Sequence, residues 1–111
     1  MTLLGEQTQI SPEIHVGDIG SQFLVTIKNQ DDEVEDISTA TTKQIIFLSA
    51  SNIEKVKTAS FYTNGTDGKI VYTLADGDID VAGIWKYQAK IVTSAGTWYT
   101  NVEDFRVYSN L

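Results

Sequence analysis

The sequence predicts an all-β domain, a sandwich of two sheets built from about seven antiparallel strands, and three observations carry that prediction. Segments in which side chains alternate with a two-residue period recur at short intervals, Gly, Asn and Asp turns punctuate them, and no stretch sustains the 3.6-residue apolar period of a helix. A chain of 111 residues has room for one such core, and its loops are too short for a second domain. A small closed barrel is the other architecture compatible with this pattern.

The clearest strand covers residues 84–93, where Trp85, Tyr87, Ala89 and Ile91 alternate with Lys86, Gln88 and Lys90, so that one face packs and the other meets water. Phe23, Val25 and Ile27 define a second strand over 22–28, closed by the turn-rich Asn29-Gln30-Asp31-Asp32-Glu33. Residues 55–62 and 69–74 flank Asn64-Gly65 and Asp67-Gly68, pairs that favour the positive φ of a tight reversal, and are read as a hairpin. A second hairpin joins 84–93 to a last strand over 97–107 through Ser94-Ala95-Gly96. In that last strand the apolar parity slips between Trp98/Val102 and Phe105/Val107, which predicts a β-bulge near Glu103-Asp104. A short strand at 13–16 and another at 42–49 bring the count to seven. The polar residues 1–12 precede the first strand and are read as an N-terminal arm, leaving 13–111 as the domain.

The expected core is Trp85, Tyr87 and Ile91 with Phe23, Val25, Ile27 and Phe47. Asp80-x-x-Gly83-x-Trp85 has the form of the corner that opens the penultimate strand of immunoglobulin-like domains, where a glycine lets the chain bend and an aromatic plugs the core. The fold class expected is therefore an immunoglobulin-like sandwich.

Composition excludes several activities. With no cysteine there is no disulfide, thiolate metal site or cysteine nucleophile, and stability must come from packing. A net charge of −7 opposes nucleic acid and anionic membrane as partners. The first residues lack a basic start and apolar runs are short, so neither a secretory signal nor a transmembrane helix is expected.

Motifs for chemistry are incomplete. Asp76-Gly77-Asp78-Ile79-Asp80 opens like a calcium loop, but Val81 stands where its glycine belongs and Tyr87 where its bidentate acid belongs, so no metal site is assigned. The acidic run Asp31–Asp36 reads as a solvated turn. His15, the single histidine, lacks partners at a motif spacing and is given a structural role; Asn64-Gly65-Thr66 is a turn. No phosphate-binding loop, nucleophile elbow or H-E-x-x-H is present, so no catalytic residue and no cofactor is expected. Trp98 and Tyr99, with Tyr62 and Tyr72 on the hairpin, could form a platform for stacking sugars; aromatic residues also fill sandwich cores.

From Ile14 to Val107 the sequence resembles the N-terminal immunoglobulin-like domain of phage baseplate upper proteins and related tail and fibre modules. The resemblance rests on Ile14-His15-Val16-Gly17-Asp18-Ile19-Gly20, on Asp36-Ile37-Ser38-Thr39-Ala40-Thr41 leading into Ile45-Ile46-Phe47, and on Asp67-Gly68-Lys69-Ile70. It continues through Ala82-Gly83-Ile84-Trp85-Lys86-Tyr87-Gln88-Ala89 and closes on Thr97-Trp98 with Phe105-Arg106-Val107. Their order and spacing carry the match, since each alone is strand and turn chemistry. The resemblance implies a structural component of a tailed-phage virion, made in the host cytoplasm, that attaches to other virion proteins and to copies of itself and has no catalytic residues. The chain ends four residues after Val107, where those proteins continue, so an adaptor, decoration or fibre-anchor role is expected over direct host binding. The alternative function is a carbohydrate-binding sandwich that assists attachment to the host surface.

The strand at 42–49 supplies the candidate contact. Ile45 and Phe47 alternate with Ile46 and Leu48, so both faces are apolar, and only one pair can enter the core of a two-sheet sandwich. Phe47 with Ile45 has the stronger claim to the core, which leaves Ile46 and Leu48 for a protein interface. The competing expectation is that the N-terminal arm or the loop at 52–54 folds back over this stripe.

Overall fold

The computed structural model of the chain describes residues 3–9 and 13–111. Among the described residues there are ten strands and no helix: β1 Leu3–Gln9, β2 Ile14–His15, β3 Gln22–Asn29, β4 Thr42–Leu48, β5 Glu54–Thr58, β6 Ser60–Phe61, β7 Lys69–Thr73, β8 Gly83–Thr93, β9 Gly96–Tyr99 and β10 Glu103–Tyr108. They form a four-stranded sheet in the order β1-β3-β7-β6 and a six-stranded sheet in the order β2-β10-β8-β4-β5, with β9 also paired to β8. The two sheets pack face to face as an immunoglobulin-like sandwich, and the barrel does not form.

Alternation decides which side of each strand is buried. Phe23, Val25 and Ile27 of β3 face Ile45 and Phe47 of β4 and Trp85, Tyr87, Ala89 and Ile91 of β8 across one core. Phe23 is its hub: its ring centroid lies 5.0 Å from those of Phe47, Tyr87 and Phe105, all near edge-to-face, the geometry favoured by aromatic quadrupoles. All seven expected core residues are buried, none more than 3% exposed. At the corner, Trp85 Nε1 donates to the Val81 carbonyl at 2.9 Å. Gly83 takes φ +130°, and a Cβ there would lie 2.8 Å from Ala50 Cβ, so both backbone and space require the glycine.

The structure corrects four local expectations. Residues 3–9, read as part of an arm, form β1, an edge strand paired antiparallel to β3 over seven residues from Leu3↔Asn29 to Gln9↔Phe23; the rest of the proposed arm lies outside the described residues. The single strand expected over 55–62 is two. β5 pairs with β4 in the six-stranded sheet, β6 pairs with β7 in the four-stranded one, and the chain crosses between sheets at buried Ala59, whose N–H donates to the Lys43 carbonyl at 2.9 Å. The last strand is likewise split into β9 and β10. Tyr99 pairs with Lys90 and Glu103 with Tyr87, so Thr100, Asn101 and Val102 stand opposite only Ala89 and Gln88; the bulge therefore precedes Glu103. Finally, β2 is short and runs parallel to β10, so the ladders are not all antiparallel.

Two lateral seams hold the sheets together. On one, Gly5 of β1 approaches the bulge: its N–H donates to Asn101 Oδ1 at 3.0 Å and its carbonyl accepts from Tyr87 Oη at 3.3 Å. A Cβ at Gly5 would lie 3.1–3.2 Å from Thr100 and Val25, closer than side chains ordinarily pack. On the other seam, Asp78 links β5 to β7 by the charged network described below.

Candidate functional site

The outward face of the six-stranded sheet can be read in rows from its register. Val56, Ile46 and Gln88 form one row that ends beside Val102 at the bulge; Glu54, Leu48, Lys86 and Asp104 form the next; Ile84 and Arg106 lie beyond. Ile45 and Phe47 are buried in the core, whereas Ile46 and Leu48 are half-buried on the outer face, as the parity of β4 requires. Around them Val56 is 48% exposed, Ile84 52% and Val102 53%, so the face carries an apolar band open to solvent. Ile46, Leu48, Glu54, Lys86, Gln88 and Val102 line a groove of about 250 Å³. Its charged border includes the Lys86 Nζ–Asp104 Oδ1 pair at 2.9 Å.

The two segments that could have covered this band do not do so within the described residues. β1 belongs to the opposite sheet. The turn before β5 is closed on itself, with Ser49 N–H donating to the Ile53 carbonyl at 2.9 Å and Ile53 N–H to Ser49 Oγ at 3.1 Å, and Ile53 is exposed. Sequence reasoning found Ile46 and Leu48 but missed Val56 and Val102. The outward parity of β5 would have pointed to Val56; Val102 faces outward because the bulge, which the parity slip placed near Glu103-Asp104, lies just before Glu103.

The four aromatics considered as a sugar platform are not brought together. Trp98 packs against the core from β9, while its neighbour Tyr99 faces outward with Lys90 Nζ 5.8 Å from its ring centroid. Tyr72, on the four-stranded sheet, packs against the core near Phe47 and donates from its hydroxyl to Asp78 Oδ2 at 2.5 Å; Tyr62 is exposed after β6. Strand alternation alone separates Trp98 from Tyr99.

The D-x-D-x-D segment carries its acids onto lysines. Asp78 Oδ1 meets Lys57 Nζ at 2.8 Å, and Asp78 Oδ2 accepts from Tyr72 and from the Ala75 N–H at 2.8 Å. Lys55 Nζ reaches Asp80 Oδ1 at 3.1 Å and donates to the carbonyls of Gly77 and Asp78 at 3.2 and 2.7 Å. Burial raises the Asp78 pKa, but the hydrogen bonds from Lys57, Tyr72 and Ala75 outweigh it and hold the carboxyl below its usual range. Burial, followed by the bond to Asp78 and its charge, pushes the Tyr72 hydroxyl up to about 12. Two ammonium groups thus stand beside the carboxylates that a divalent ion would need.

His15 has structural neighbours: its Nε2 lies 3.1 Å from Glu13 Oε2, its backbone N–H donates to Asp18 Oδ2 at 3.0 Å, and its ring lies 5.7 Å from that of Tyr108. Among the described residues no group of three or more His, Cys, Asp and Glu is placed to hold a metal ion.

No protein-family model matches the chain, and no curated protein sequence matches it. Among solved structures it is similar to CopC from Methylosinus trichosporium OB3b, with a TM-score of 0.56 and 14% identity over 96% of this chain and 98% of that one. That likeness extends to the β-sandwich fold alone.

Proposed function

We propose that this domain is a structural adaptor of a tailed-phage virion, without catalytic activity, that binds neighbouring virion proteins, copies of itself included, through the outer face of its six-stranded sheet. The observation that carries the proposal is the uncovered apolar band of Ile46, Leu48, Val56 and Val102 with charged side chains at its border. Strand spacing makes the face, four strands wide and three rows deep, about 14 Å by 14 Å, so the apolar band forms the compact centre of a protein contact. An apolar centre with a polar rim is how such contacts are organised. The virion setting comes from the sequence resemblance to baseplate upper protein modules, and the sandwich is the fold that this resemblance implies.

The test is the double substitution Ile46→Thr with Leu48→Lys. Both side chains lie outside the core, so the isolated domain should keep its denaturation midpoint to within about 1 kcal/mol, while its incorporation into assembled particles is lost. A variant that unfolds, or one that is incorporated like the parent, overturns the proposed surface.

A further inference from the structure

A separate cleft of about 150 Å³ lies at one end of the sandwich, where the loop after β3 meets the β8–β9 hairpin. Trp98 and Ile91 form its apolar wall, and Glu35, Asp36, Thr39 and Thr93 supply oxygen atoms. Both sides are held in place by hydrogen bonds. Glu35 N–H donates to the Ile27 carbonyl at 3.0 Å, Ile37 N–H to Gly65 at 2.9 Å and Thr41 N–H to Val92 at 2.8 Å, which ties the loop to both sheets. On the other side, β9 is held to β8 by its ladder from Lys90↔Tyr99 to Thr93↔Gly96, and Gly96 stands beside the Trp98 indole, where an added Cβ would be at an ordinary packing distance of 3.4 Å.

The polar groups here are left over from folding. Among the described residues the Trp98 indole N–H, the Glu35 carboxylate and the Thr39 hydroxyl have no hydrogen-bond or ionic partner. Asp36 Oδ1 accepts from the Ser38 N–H at 2.9 Å. The cleft therefore combines an aromatic wall, an unused donor and unused acceptors. A pyranose has matching chemistry: an apolar C–H face that stacks on an aromatic ring, and hydroxyls that both donate to carboxylates and accept from an N–H. A cation would use the carboxylates but leave the indole N–H without an acceptor. The volume is below the roughly 300 Å³ at which pockets for drug-sized ligands begin, so the cleft suits one ring and not an oligosaccharide.

We propose that this cleft is a binding site for a single neutral pyranose, with Trp98 as stacking wall and N–H donor and Glu35 as hydroxyl acceptor. The site is distinct from the outer-face interface and independent of the adaptor role. It retains Trp98 from the four aromatics and replaces the other three by Glu35, Thr39 and Thr93.

The test is a ¹H–¹⁵N titration of the whole chain with the methyl glycosides of glucose, galactose, mannose and N-acetylglucosamine. The chain has two tryptophans, and Trp85, fully buried with its N–H on Val81, serves as the internal control. At least one glycoside should move the Trp98 indole resonance saturably with a midpoint of about 1–10 mM, leaving Trp85 in place. By calorimetry Glu35→Gln, at a position outside the core, should weaken binding about tenfold. Trp98→Phe, which keeps a ring but deletes the N–H, should weaken it by at least several-fold. The proposal fails if no glycoside moves Trp98, if N-acetyl-lysine methylamide moves it and the glycosides do not, or if binding survives Glu35→Gln unchanged.

Discussion

Leu24 and Ile46 occupy equivalent places in the two sheets, each on the outward side of a strand with a neighbour on either hand. Leu24, between β1 and β7, is only 4% exposed, and Thr26 beside it 6%. Ile46, between β5 and β8, is half-buried and opens onto a groove. The difference lies in the neighbours. At Leu24 and Thr26, β3 is paired on both sides, with β1 on one hand and Val71 and Lys69 of β7 directly opposite on the other. Beyond β4, the row of Ile46 continues through Gln88 to the bulge, where three residues stand against two. An outward apolar residue is thus a stabilising element in one sheet and an available surface in the other, although the strands on either side of it are regularly paired in both.

Substitutions sharpen that contrast, beginning with the core both sheets share. Trp85→Ala should cost about 3–5 kcal/mol, read as a fall in the urea midpoint large enough to threaten folding; an unchanged midpoint would refute the corner. Leu24→Ala should cost about 2–4 kcal/mol and Ile46→Ala under about 1 kcal/mol. Equal losses in the two variants would erase the distinction between the faces.

A smaller effect separates the charged seam from the apolar core. Asp78→Asn should cost about 2 kcal/mol at neutral pH, because it strands Lys57 and weakens the bond from Tyr72. Asp78 has a folded pKa below its ordinary 3.8, so its contribution is complete above that value and is lost as pH falls through the lower, folded one. The stability gap between parent and Asp78→Asn should therefore stay constant down to about pH 4 and narrow below it, measured by denaturant midpoints across pH. A gap that widens in acid would contradict the depressed pKa.

Much of the fold was legible because alternation is local information. Trp85, Tyr87, Ala89 and Ile91 occupy one side of β8 whatever their partners, and the same parity set Ile45 and Phe47 against Ile46 and Leu48. The candidate face was therefore half legible: its two central residues follow from the phase of one strand, but Val56 and Val102 join them only through pairing with β5 and the displaced bulge. The Trp98 cleft was less legible still, since its residues come from segments distant in sequence, only Trp98 was considered for binding, and Glu35 was read as part of a solvated acidic turn.

By itself, then, the sequence determined the all-β class, the inward set of each strand and the turns that separate them, because two-residue periodicity and positive-φ glycines act within a few residues. Tertiary structure decided the rest. Leu3-Leu4-Gly5-Glu6-Gln7-Thr8-Gln9 has no alternation to mark it, and it is a strand because β3 offers it a full ladder of main-chain partners. Ala59 switches sheets within a run that reads as one strand. Asp78 and Asp80 meet Lys57 and Lys55 because β5 lies beside their loop. Each of these outcomes depends on which backbone edges and charges the packed sheets bring within hydrogen-bonding distance, and such proximity is a property of the assembled sandwich that no local window contains.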